Sequence, residues 1–150
     1  MQFRTALTTA VFAAAIGIGF ASAQQNVVEQ REQLMKENNR NAILISKVAK
    51  GELPYDAQKV GKAFDQWADT AKKLPKLFPE NAKTGGDNRA LPAIWTKRAE
   101  FDKDIANFAK DVAAQRAKAT ENLASLKTAW PVVLNDCNDC HKEFRRPNKR

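Results

Sequence analysis

Apolar residues recur at three- and four-residue steps through four long segments of this chain, with proline or glycine marking the gaps between them. That period is the signature of helices burying one stripe, and no stretch alternates as a half-buried strand does. The first stripe runs from Val27 to Lys50 through Leu34, Met35, Ile45 and Val48, and Gly51 is a fitting C-terminal stop. Pro54 and Asp56 open a second, which carries Val60, Phe64, Trp67 and Leu74 and ends at Pro75. Pro75 to Arg89 holds two prolines and Gly85-Gly86, and is the one long connection. Pro92 suits the first turn of a third helix reaching about Ala119, with Ile94, Phe101, Ile105, Phe108 and Val112 along it. The fourth spans roughly Glu121 to Arg145, and Pro131 inside it should kink it or mark a break after Trp130. Short connections, one excepted, predict an all-α, antiparallel up-down-up-down four-helix bundle.

A chain of 150 residues, 43% of them hydrophobic, is enough for one domain with a core. Six Gly and six Pro exclude a low-complexity chain. Two Cys exclude a disulfide-dense scaffold, and with a single His they cannot close a four-ligand zinc site unaided. Met1 to Ala23 reads as a secretory leader, with Arg4 early, an apolar run over 10–21 and Ala21-Ser22-Ala23 as the cleavage pattern. The run is short of the roughly 20 residues a membrane span needs. Cleavage after Ala23 leaves residues 24–150 as one domain, and loss of Arg4 takes the formal charge from +8 to +7. No second apolar stretch of spanning length follows, so the mature chain is expected to be exported without a membrane span. In a bacterium with an outer membrane, the destination is the periplasm.

The scarce residues are concentrated. Cys137-Asn138-Asp139-Cys140-His141 is C-x-x-C-H, the attachment pattern of c-type haem. Two thiols three positions apart can each add to a vinyl group, and the adjacent imidazole of His141 then meets the iron as proximal ligand. On a helix, residues 137, 140, 141 and 144 share one face. A redox C-x-x-C would call for a strand-to-helix setting, which this chain does not offer. A Cys137–Cys140 disulfide leaves His141 unexplained, and a metal site would need a further Asp or Glu that no spacing supplies. One covalent haem c per chain, near the C-terminal helix, is the reading that uses all three residues.

After export one Met remains, Met35, and there is no second His. The sixth iron position is then open to Met35, to a Lys or Asn, to an outside ligand, or to nothing. A thioether favours reduced iron and raises the potential. Met35 also lies in an apolar stripe, where methionine is ordinary core filler.

The order of these parts, with C-x-x-C-H late and Arg31-x-x-x-Met35 early, resembles the class II c-type cytochromes. These are four-helix bundles comprising the high-spin cytochromes c′ and the low-spin c-556 group. The resemblance covers about Val27 to Arg146. It includes the segments Lys50-Gly51-Glu52-Leu53-Pro54-Tyr55-Asp56, Leu74-Pro75-Lys76-Leu77-Phe78-Pro79, Pro92-Ala93-Ile94-Trp95 and His141-Lys142-Glu143-Phe144-Arg145. It implies Cys137 and Cys140 as thioether residues and His141 as proximal ligand. Met35 stands where the low-spin group has its distal ligand, whereas in cytochromes c′ that position roofs an open iron face. The stretch Leu34 to Asn41 is closer to the low-spin group. Arg31, one turn before Met35, is within reach of a haem propionate, and the resemblance places Arg145 beside the proximal side. The alternative for each arginine is a solvated charge.

Two functions follow. The first is one-electron transfer by a periplasmic, single-haem carrier whose net charge steers it toward acidic redox partners. The second is uptake of nitric oxide or carbon monoxide at an open distal face. A helical metal-binding or adaptor protein is a third and weaker reading. No nucleophile–base pair or paired carboxylates mark an enzyme, no basic run interleaved with aromatics marks nucleic-acid binding, and a homodimer is compatible with the sequence.

Overall fold

A computed structural model describes residues 17–83 and 88–147, with side chains from residue 26 onward. Most of the expected leader, including Arg4, lies outside the described residues, as does Gly85-Gly86 of the long connection. Among the described residues five α-helices form: α1 (Gly17–Lys50), α2 (Ala57–Lys73), α3 (Ala93–Thr96), α4 (Arg98–Ala119) and α5 (Leu123–Phe144). Among the described residues there is no strand, only an isolated antiparallel bridge between Ala90 and Arg145. The long helices close a four-membered ring: α1 packs on α2 and α5, and α4 packs on the same two. This is the expected antiparallel four-helix bundle.

Local chemistry sets most helix ends. Gly51 has φ +79°, a left-handed conformation that glycine adopts without a Cβ penalty. From there Gly51 N–H donates to the Val48 carbonyl (3.0 Å) and Glu52 N–H to that of Lys47 (2.9 Å), closing the last turn of α1. The Asp56 carboxylate caps α2 by accepting from the Gln58 and Lys59 amides at 2.9 and 3.1 Å. Asn122 caps α5 through the Ser125 amide at 2.9 Å.

Four features differ from the sequence expectation. Helix α1 is already formed at Gly17, the first described residue, ahead of the expected Val27, because Ala21, Ala23 and the glutamines after them favour helix beyond the apolar stripe. The third segment is two helices, interrupted at Lys97 (φ −119°, ψ 45°). Tertiary anchors pull its two sides apart: the Trp95 indole donates to the Pro79 carbonyl (3.2 Å), while Arg98 donates to the Phe78 and Pro75 carbonyls, each at 3.1 Å. Helix α5 runs unbroken through Pro131. Pro131 faces solvent between buried Trp130 and Val133, so water can serve the carbonyl it leaves unpaired. The long connection is also structured, folding into two 3-10 turns, Leu74–Leu77 and Glu80–Ala82.

The core has two parts. One gathers Ile45, Val48, Val60, Phe64, Trp67, Val112, Leu126, Trp130 and Val133 from all four long helices. The other joins Leu34, Ile105 and Phe144 to Leu77 and Phe78 of the connection, with Phe101 as its centre. Phe101 meets Phe78 and Phe144 edge-on, at centroid distances of 4.8 and 5.2 Å. Each such ring contributes roughly 1.5–3 kcal/mol by leaving water, so the connection is part of the core and not a loop laid over it.

Candidate haem site

The last turns of α5 present Cys137, Cys140, His141 and Phe144 along one side of the helix, the side that meets the core. Cys137 packs on the first core cluster and Cys140 on the second, so the motif straddles their boundary. No disulfide joins the two cysteines. Burial, reinforced by the Asp136 charge, pushes the Cys137 thiol up to about 11. Burial, with Asp104 next in weight, pushes Cys140 up to about 12. Thiols held neutral in this way are poor at thiolate exchange and unsuited to a redox dithiol. Burial drives His141 the other way, down to about 4, with the Arg145 and Arg89 charges acting in the same sense. Its imidazole is therefore neutral at physiological pH, the form that offers a lone pair to a metal.

Met35 is far from this motif in sequence but not in the fold. It projects from α1, half-buried, onto the same cluster of Leu34, Phe101 and Phe144 that receives Cys140. The Asn38 side-chain amide donates to its sulfur at 3.9 Å.

Arg31 is buried, which is unusual for an arginine. It donates to the Ala82 carbonyl at 3.1 Å and lies 4.6 Å from the centre of the Phe78 ring. Its Nη1 is buried without a partner, and so is Nε of Arg145. Burial lowers the pKa of both, and for Arg145 the nearby Arg89 adds to the effect. A buried donor left unpaired is costly, and a carboxylate is the acceptor that would best satisfy it. Two such donors in this half of the bundle suit a group carrying two carboxylates, as haem does with its propionates.

The end of α5 is tied down by backbone. Leu91 N–H donates to the Phe144 carbonyl (3.0 Å), Arg146 N–H to that of Arg89 (2.9 Å), and the Arg146 side chain to that of Asn88. The charge of Arg89 on His141 and the Asn38 bond to Met35 escape a sequence reading. Only the i,i+3 spacing of Met35 and Asn38 hints at the second. Trp130, two turns before Cys137 on α5, stacks on Trp67 within the first cluster.

This arrangement of a helical bundle with a neutral histidine beside two apolar-buried thiols is that of a c-type cytochrome. Residues 26–145 match the family model for cytochrome C′. A cytochrome c-556 of Rhodopseudomonas palustris is 41% identical over 127 residues, covering 82% of this chain and 85% of that protein. A cytochrome c′ of the same organism is 43% identical over 131 residues, covering 87% and 88%. A solved structure of cytochrome c′ from Rhodopseudomonas palustris superposes with a TM-score of 0.78 at 38% identity, covering 82% of this chain and 98% of that one. The chain belongs to the cytochrome C′ family. Its cofactor is haem c, one covalently held group per chain. Among the described residues, no helix is long and apolar enough to cross a membrane.

Proposed function

We propose that this protein is a periplasmic electron carrier and not an enzyme. In this reading, Cys137 and Cys140 would hold the haem by thioether bonds, and His141 and Met35 would be the side chains that bind its iron. The observation that carries it is the meeting of Met35 from α1 and Cys140 from α5 on one apolar cluster. When bound, the haem iron supplies a one-electron ferrous–ferric couple. The chain's own residues do the rest. His141 offers a lone pair that burial and two arginines keep unprotonated. The Met35 thioether favours the reduced state. Phe78, Phe101, Phe144 and Leu34 keep water from that side, and Arg31 Nη1 and Arg145 Nε stand ready for carboxylates. Were His141 and Met35 both to hold the iron, a substrate would find no place on it.

Residues 1–23 are the cleaved leader and 24–150 the exported domain. An excess of Lys and Arg over Asp and Glu favours acidic redox proteins as partners, and a homodimer is compatible with the fold. A second reading leaves Met35 off the iron and the distal face open to nitric oxide or carbon monoxide. Near-equal identity to a protein named cytochrome c′ favours it.

The absorption spectrum of the purified haem protein separates the two. Low-spin bands, a Met-to-iron charge-transfer band and only slow reaction with carbon monoxide are expected. Met35→Ala should turn that spectrum high-spin and carbon monoxide-reactive. A wild-type spectrum that is already high-spin and changes at once with carbon monoxide overturns the carrier in favour of gas binding.

A further inference from the structure

The amide of Asn38 is held from α2 in a way that aims it at Met35. Its Oδ1 accepts from Gln66 Nε2 at 2.9 Å and from the Thr70 hydroxyl at 3.0 Å. Gln66 is itself fixed, donating to Thr70 Oγ1 at 2.9 Å and accepting from Asn41 at 3.0 Å. Thr70 is fully buried, and the backbone carbonyl of Asn38 accepts from the Trp67 indole at 3.4 Å. With two donors on Oδ1, the other end of the amide can only present N–H, and it meets the Met35 sulfur at 3.9 Å.

A thioether sulfur has two lone pairs and is a weak acceptor. Holding one of them on an amide fixes the rotation of the methyl–sulfur end and leaves the other lone pair free to face a metal. The N–H also draws electron density from the sulfur and sets a positive dipole end beside it. Groups that contact a metal ligand in this way set both its orientation and its donor strength. A weaker sulfur donor favours ferrous iron over ferric.

We infer that Asn38 is a positioning residue for the sixth ligand: held by Gln66 and Thr70, it orients the Met35 thioether and raises the haem potential. This rests on Met35 being the distal ligand. The alternative is that the amide cluster only joins α1 to α2.

The test uses the haem-loaded protein and the variants Asn38→Leu, Thr70→Val and Met35→Ala. The readouts are midpoint potential, the Met-to-iron charge-transfer band, the rate of carbon monoxide binding and thermal unfolding. Asn38→Leu should lower the potential, displace or weaken the band and speed carbon monoxide binding several-fold. Thr70→Val, which keeps the amide but frees its orientation, should move all three the same way by less. If Asn38→Leu fails to fold, Asn38→Ser removes the amide with less disturbance and should give the same shifts. Folded variants that unfold earlier but keep the wild-type potential, band and rate overturn the inference and make the cluster a strut. If Met35→Ala itself leaves the spectrum unchanged, the ligand assignment falls and this inference with it. A changed Met35→Ala beside an unchanged Asn38→Leu sinks the Asn38 role alone.

Discussion

The indole of Trp67 lies on that of Trp130, ring centres 5.2 Å apart and planes 13° from parallel. Phe64 meets Trp67 edge-on at 5.1 Å, and Trp130 donates to the Ser46 hydroxyl at 3.2 Å. Since the Trp67 indole also donates to the Asn38 carbonyl, this one stack ties α1, α2 and α5 together. It sits two turns before Cys137 on α5, so it holds the helix that bears the haem motif against the helix that bears Met35.

Trp67→Ala should therefore cost about 3–5 kcal/mol, the range for deleting a buried aromatic ring. Urea unfolding of the haem protein measures it. A loss under about 1 kcal/mol would mean that the pocket closes over the missing ring and that the stack is not a principal tie.

Asp136 gives a pH dependence with a definite sign. Burial, then the charges of Asp111, Asp139 and Asp104, raise its carboxyl to about 6 from an ordinary 3.8, and Oδ2 is buried without a partner. The folded chain thus holds this proton more tightly than the unfolded one. The stability attached to it is complete below the unfolded value and is lost as pH rises through about 6. Asp136→Asn should match wild type near pH 4 and exceed it above pH 6. The gain is on the order of 1 kcal/mol, because the side chain is only partly buried and solvent screens part of its charge. Urea midpoints across that range decide it, and a gap independent of pH would refute the assignment.

Arg31→Met keeps an unbranched apolar stem but removes the guanidinium that lies over Phe78, and with it a buried positive charge. If Arg31 answers a haem carboxylate, ferric iron becomes easier to hold and the midpoint potential falls, by something on the scale of 1 kcal/mol. Potentiometry on both proteins checks this. Lower stability with an unchanged potential would make Arg31 a brace between α1 and the Ala82 carbonyl only.

Short-range chemistry made much of this protein legible from residue order. The stripes at three- and four-residue steps, the glycine stop at 51 and the Asp56 cap all act within a turn or two of chain. The C-x-x-C-H spacing puts its three residues on one side of one helix whatever the rest of the chain does. Sequence therefore determined the bundle and the helix that carries the C-x-x-C-H motif. It did not determine where long-range contacts override local preference. Lys97 breaks a helix because Trp95 and Arg98 are anchored on the connection, and Pro131 fails to break one because it lies on the exposed side while Trp130 and Val133 stay buried in the core. Only the packing of α1 against α2 and α5 brings Met35 to the cluster of Cys140, buries Arg31 with an unpaired donor, and turns the Asn38 amide toward sulfur. Those outcomes depend on which faces exclude water together, and that is a property of the assembled bundle and of no single segment.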